Sequence, residues 1–257
     1  MSMREKAGDF TEKTVWKLSE VRRQLEENAE DEFRRFTGSL MPGTQRVLGV
    51  RVPVLRAMAK NIARGDYEGY LEESRLLTGE DLQVSHEELM LQGLVLGAIR
   101  IDDQRRMQEL NWFVPKIHNW AVCDCCCASY KWMAKDRKFW YPWLLRWLEG
   151  EREYEIRFTV VSLLDHFVTQ EYIDRILQVF REINHPGYYV KMAVAWALSV
   201  CYVKFPRQTE ELLREQILDP FTQNKAIQKI RESLRVTKEQ KDYLRRFRIE
   251  EKKEKQQ

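Results

Sequence analysis

Residues 188–203 read YYVKMAVAWALSVCYV. Wound at helical pitch, this run is apolar on nearly every side, which predicts a central, buried helix. Its 16 residues fall short of the roughly 20 that a bilayer span needs. On either side lie segments with a single apolar stripe each. EELMLQGLVLGAIR (87–100) places Leu89, Gly93, Leu96 and Ile99 at helical intervals. EIRFTVVSLLDHF (155–167) does so with Ile156, Val160, Leu163, Leu164 and Phe167. Residues 172–183 repeat the pattern with Ile173, Ile176, Leu177, Phe180 and Ile183. Residues 222–234 repeat it with Ala226, Ile227, Ile230 and Leu234. Sustained period-two alternation and Asn-Gly or Asp-Gly hairpin signals are missing, so an alternating βαβ plan is excluded.

Breakers separate these helices at short intervals: Pro42-Gly43, Gly65-Asp66, Gly79, Pro115, Gly150, His185-Pro186-Gly187, Pro206 and Asp219-Pro220. Short turns join antiparallel neighbours. About a dozen helices in pairs, at the ~40–47 residues per pair of helical repeats, predict an all-α fold, an α-solenoid. Such pairs bury their faces only against the next pair, so one curved domain is expected over 1–250, followed by a charged tail, 251–257.

Composition narrows the function classes. The chain has 257 residues, 44% hydrophobic and 32% charged, and Lys+Arg 43 against Asp+Glu 40 leaves +3. That balance excludes intrinsic disorder, and 11 Gly with 7 Pro exclude a collagen-like chain. MSMREKAGDF at the start is charged and has no apolar core of a secretory signal, so a soluble, cytoplasmic protein is expected. The charge is uneven: residues 221–257 hold 12 Lys/Arg and 6 Asp/Glu, so this end is +6 and the other 220 residues are −3. A local basic end attracts polyanions, or serves solubility alone. Within it, Lys225, Lys229 and Arg231 are spaced along one predicted helix.

Four of the five cysteines crowd into Cys123, Cys125, Cys126 and Cys127. Cys123 and Cys126 form C-x-x-C, but no second ligand pair follows at zinc spacing, and His118 would leave a site incomplete. Small reduced thiols packed in a helix account for them, and no metal or cofactor is expected.

Trp120, Arg157 and Trp196 are separated by about one helix-pair repeat each, a spacing that lines residues up along one surface of a solenoid. Asp124 follows Trp120 by four residues and shares its helical face. Two indoles, a carboxylate and a guanidinium can thus converge in one groove. Each also has a plainer reading: Trp196 as core, Arg157 as a snorkelling charge, Asp124 as a cap or a partner of Lys131.

HNWAVCDCCC, YEIRFTVV, GYYVKMAVAWALS and FTQNKAIQKIRESLR, in that order and spacing, resemble the AlkD-type family of DNA alkylation-repair glycosylases. LGVRVPVLRAMAKNIA is similar to the family's opening repeat, and the likeness runs from about residue 49 to 244. The resemblance implies HEAT-like repeats whose concave, basic groove holds duplex DNA. It also implies hydrolysis of the N-glycosidic bond of positively charged N3- or N7-alkylated purines. The family's two tryptophans, aspartate and arginine fall on Trp120, Trp196, Asp124 and Arg157. Tyr188 and Tyr189 take the place of its paired aromatics. By that likeness Asp124 stabilises the sugar cation and activates water, and the indoles face positive charge and deoxyribose. Arg157 would then hold a phosphate, while Lys225, Lys229 and Arg231 would meet backbone phosphates. The resemblance also implies a groove that leaves the base less enclosed, so bulky alkyl groups are expected to be tolerated. Duplex DNA bearing alkylated bases is the expected partner, with no obligate protein partner and association with the nucleoid through DNA. The alternative is a non-catalytic solenoid that binds DNA or a protein through the same concave face.

Overall fold

The computed structural model describes residues 16–44, 46–78, 81 and 83–250. The N-terminal decapeptide, the Gly79 breaker and the tail 251–257 lie outside the described residues. Among the described residues there are fourteen α-helices, four 3₁₀ turns and no strand. The fold is all-α, with helices packed on their neighbours as an α-solenoid requires. No helix among the described residues is long and apolar enough to cross a membrane. The chain divides into two compact units, Met1–Leu110 and Asn111–Gln257.

The first unit contains α1 (Leu18–Glu27), α2 (Asp31–Leu40), α3 (Val52–Arg64), α4 (Tyr67–Ser74) and α5 (His86–Ala98), followed by the start of α6 (Asp103–Phe113). Both α3 and α4 pack on α5. Where the sequence predicts one buried stripe on this helix, every residue from His86 to Leu96 is buried. The reason is its central position, which leaves its polar residues needing partners indoors. Ser85 caps it, accepting from the Glu88 N–H at 3.2 Å, and Glu88 returns the bond to the Ser85 N–H at 2.7 Å. Glu88 also pairs with Arg22 at 2.7 Å. Glu87, 1% exposed, accepts from the N–H groups of Leu48 (2.9 Å), Gly49 (2.7 Å) and Val50 (3.3 Å).

The second unit contains α7 (Trp120–Cys127), α8 (Arg137–Leu145), α9 (Glu153–His166), α10 (Ile173–Glu182), α11 (Tyr188–Lys204), α12 (Pro206–Glu215), α13 (Pro220–Glu232) and α14 (Lys238–Leu244). The contacts run α7 to α9, α9 to α11 and α11 to α13, so these four form one layer. Helices α10 and α12 pack on each other behind it. Although α11 is apolar nearly all round, its buried residues fall mainly on one side (Val190, Ala193, Val194, Ala197, Leu198, Cys201 and Tyr202), and the opposite side, with Trp196, stays half-buried. A sandwich of aromatic rings fills the space under α9: Trp132 lies 4.6 Å from Trp140, Trp140 lies 5.3 Å from Trp143, and Trp143 stands edge-on to Phe158 at 6.1 Å. One expectation fails locally. The apolar spacing puts Leu234 on the buried face of its helix, but α13 stops at Glu232 and Leu234 is 99% exposed. Ser233 turns to extended backbone there, so the apolar period runs past the helix that carries it.

Two glycines of the first unit separate backbone strain from crowding. Gly43 (φ +88°) has nothing within 4 Å of an added Cβ, whereas at Gly49 (φ +89°) that atom would sit 2.5 Å from the Glu30 carbonyl oxygen and 2.7 Å from the Arg34 nitrogen. Gly43→Ala should therefore cost only the left-handed backbone penalty, about 1 kcal/mol. Gly49→Ala adds overlap with backbone that cannot yield, and should cost roughly 2–4 kcal/mol in all. Urea unfolding of the two variants measures the difference; equal midpoints would show that the 48–50 segment moves away freely.

Candidate functional site

The site is built in the layer formed by α7, α9, α11 and α13. Asn119 starts α7: its Oδ1 accepts from the Val122 N–H at 2.9 Å, which puts Trp120 at the first helical position. Asp124 follows one turn later on the same side. Both are half-buried, as is Trp196 on α11, although most of its neighbours in AVAWALSV are buried. The indole at 196 is thus not a core side chain, and the fully buried tryptophan of the unit is Trp140 on α8.

Arg157 on α9 is 6% exposed. Its Nε donates to Asp124 Oδ1 at 2.9 Å and its Nη2 to Asp124 Oδ2 at 2.8 Å, while Nη1 donates to the Tyr189 carbonyl at 2.6 Å. Burial opposes the guanidinium charge, and the hydrogen bonds and charge of Asp124 outweigh it, so the Arg157 pKa moves above its ordinary value. Three elements are joined by this one side chain. Arg157 does not snorkel to solvent, and it faces Asp124 and a backbone carbonyl where the resemblance implies a phosphate.

Glu153, one turn earlier on α9, completes the attachment of α11. Its Oε1 accepts from the Tyr189 N–H at 2.5 Å, satisfying a donor that the first turn of a helix leaves open. Glu153 and Arg157 therefore hold the N–H and the C=O of the same residue. The glycine of HPGYY leaves room for this carboxylate: a Cβ on Gly187 would lie 2.5 Å from Glu153 Oε1 and displace it. Tyr189 then stacks obliquely on Tyr154 at 5.5 Å and meets Tyr188 edge-on at 5.2 Å. Tyr188 in turn lies 5.7 Å from Phe221 on α13. Tyr188 and Tyr189 belong to an aromatic row running across the ends of α9, α11 and α13.

The cysteines of α7 serve packing. Cys123, Cys126 and Cys127 are buried thiols. Cys127 Sγ donates to the Phe158 carbonyl at 3.7 Å and accepts from Ser162 Oγ at 3.4 Å. Burial pushes the Cys127 thiol well up, keeping it protonated and unreactive at neutral pH. His166 is held one step along, with Nε2 at 2.8 Å from the Cys127 carbonyl oxygen. Small side chains at these positions let α7 and α9 approach closely, so the seam is made of short polar contacts.

The basic residues divide. Lys225 and Arg231 line one cavity of α13 together with Arg248, which motif reading did not single out; Lys229 is not part of its lining. Sequence reading also missed Asp165, at the far end of α9. Its carboxyl is pushed up to about 6, first by desolvation and then by the negative charge of Asp124. No motif marks it; only the packing of α9 on α7 brings the two acids into each other's field. The residue's outer surface is exposed, so solvent screens this effect and limits its energy.

A carboxyl whose pKa is raised in the folded state costs stability as pH climbs from its ordinary value of 3.8 through about 6. Asp165→Asn should accordingly raise the thermal midpoint at pH 8 and leave it unchanged at pH 3.5. Melting curves at the two pH values check this, and an equal shift at both would refute the electrostatic account.

Among curated proteins, no relative matches the chain. The family model described as DNA alkylation repair enzyme matches residues 21–230, a span that includes Asp124, Arg157, Trp120 and Trp196. With most of its length covered by that match, and with the acid and the guanidinium joined across neighbouring helices, the chain belongs to the DNA alkylation repair enzyme family.

Proposed function

We propose that the protein is a hydrolytic DNA glycosylase that releases positively charged N3- or N7-alkylated purines from duplex DNA and leaves an abasic site. The observation that carries this reading is the two-pronged Arg157–Asp124 pair, both prongs at 2.8–2.9 Å, on a half-buried face between two indoles in sequence. A carboxylate has about four acceptor positions, and the fork uses two of them. The fork holds the carboxylate plane against rotation and leaves the second lone pair of each oxygen for a sugar or a water.

An alkylated purine bearing a formal positive charge leaves without proton donation. The C1′–N bond breaks, its electron pair passes to the base, and positive charge develops on the sugar. Asp124 lowers the energy of that charge, since an opposite charge fixed beforehand needs no reorganisation at the moment of reaction. A water then adds to C1′ and gives its proton to a carboxylate lone pair that Arg157 does not occupy. Trp120 and Trp196 offer indole faces, the strongest aromatic partners for a cation. In this role Arg157 is a positioning residue that acts through Asp124. Because Trp120, Asp124 and Trp196 are half-buried and not sealed, bulky N7-alkylguanines should be released as well as methylated bases.

Asp124→Asn is close to isosteric and removes the charge; it leaves the buried Arg157 guanidinium without its counter-charge, so folding of the variant is checked first by its circular dichroism and melting curve. It should retain affinity for alkylated duplex while single-turnover base release falls by about 10²–10³-fold. Arg157→Lys cannot reproduce the fork and should slow release by roughly tenfold or more at unchanged DNA affinity. Both are read by incubating protein with methylated duplex DNA and counting free bases and abasic sites. Wild-type protein that binds such DNA but frees no base would replace this reading by the non-catalytic one.

A further inference from the structure

The cavity beside α13 has the make-up of an anion site. It measures about 340 Å³ and is lined by Phe221, Asn224, Lys225, Ile227, Gln228, Arg231 and Arg248: three cations, two amides, two apolar walls and no carboxylate. One wall is α13. The other is the chain after α14, pinned by its backbone at three successive residues. Gln223 Nε2 donates to the Phe247 carbonyl at 2.9 Å, and Gln216 Nε2 to the Arg248 carbonyl at 3.2 Å. Asn224 Nδ2 donates to the Ile249 carbonyl at 2.8 Å, and its Oδ1 accepts from the Ile249 N–H at 3.0 Å. With the backbone held this way, the Arg248 side chain is brought to Lys225 and Arg231.

Two details point to a missing partner. The Nε of Arg231 is buried and donates to nothing in the structure, and an unmet buried donor is costly. Lys225 rests above the Phe221 ring at 5.8 Å and donates to Gln228 Oε1 at 2.9 Å, while Gln228 directs its own N–H to Glu232 at 2.8 Å. No acid lining the cavity neutralises its three cations. Guanidinium forks match phosphate oxygens, and the Phe221 and Ile227 walls suit the sugar beside a phosphate.

We propose that this pocket holds one backbone phosphate of the bound duplex, away from the Asp124–Arg157 pair and connected to it by the Tyr154–Tyr189–Tyr188–Phe221 row. The inference rests on the DNA reading above and adds a second, discrete attachment point to it. The pocket fixes the register of the duplex on the protein and reads no base.

The test compares wild type, Arg248→Gln and a control with equal charge loss, Arg207→Gln, whose residue is exposed and does not line the cavity. Fluorescence anisotropy with undamaged duplex is recorded from 50 to 200 mM salt. Arg248→Gln should bind about 3–10-fold more weakly than wild type, and its slope of log affinity against log salt should be shallower by about 1, the mark of one lost phosphate contact. Arg207→Gln should keep the wild-type slope. Equal slopes for Arg248→Gln and wild type would overturn the proposal, as would equal losses in both variants. In a second arm, inorganic phosphate is titrated into wild type and Arg248→Gln. Saturable binding that Arg248 controls, with an unchanged DNA slope, would assign the pocket to free phosphate and overturn the backbone assignment. Wild-type protein that binds duplex with the Arg248-dependent slope but frees no base would sustain this proposal while removing the glycosylase reading.

Discussion

A buried positive charge has to be matched, and in this protein the matching organises the second unit. Arg157 leaves water almost completely, a change that would be prohibitive for an unpaired guanidinium. Asp124 on α7 and the Tyr189 carbonyl on α11 receive it, so the helix in the middle is tied to both neighbours by one group. Removing either partner would leave a charge stranded in the seam. The pair is therefore structural and chemical at once: the hydrogen bonds that make burial tolerable also hold the carboxylate in one orientation.

Everything around the pair follows from close packing. Buried thiols at Cys123, Cys126 and Cys127 keep α7 thin, and Gly187 lets Glu153 reach the first turn of α11. Aromatic bulk is placed behind the layer, in Trp140, Trp143 and Phe158, where it can be buried on all sides. The half-buried residues of α7 and α11 keep an indole or an acid partly open. A larger residue at 187 would displace the Glu153 carboxylate and weaken its bond to the Tyr189 N–H.

Much of this could be read without coordinates. Three- and four-residue apolar intervals identify α5, α9, α10 and α13, and the long apolar run identifies α11, because burying a stripe requires that period whatever the neighbours are. The spacing of Trp120, Arg157 and Trp196 places them one helix pair apart, and Asp124 follows Trp120 by one turn. Leu234 shows the limit of such reading: its spacing is right and its helix has already ended. The uniform burial of α5 was equally illegible, since polar residues in HEELMLQG imply a wet face unless partners such as Arg22 and the 48–50 backbone are known.

The sequence by itself determined the helical class, the turns marked by proline or glycine such as Gly65-Asp66 and Asp219-Pro220, and the four residue types proposed for the site, since these depend on local periodicity and on side-chain chemistry. Only the tertiary structure decided which groups meet. It turned Arg157 toward Asp124, brought Asp165 into the field of Asp124, and joined Arg248 to Lys225 and Arg231 while leaving Lys229 aside. Hydrogen bonds and charges act over a few ångströms between helices distant in the chain, and no local pattern encodes those distances.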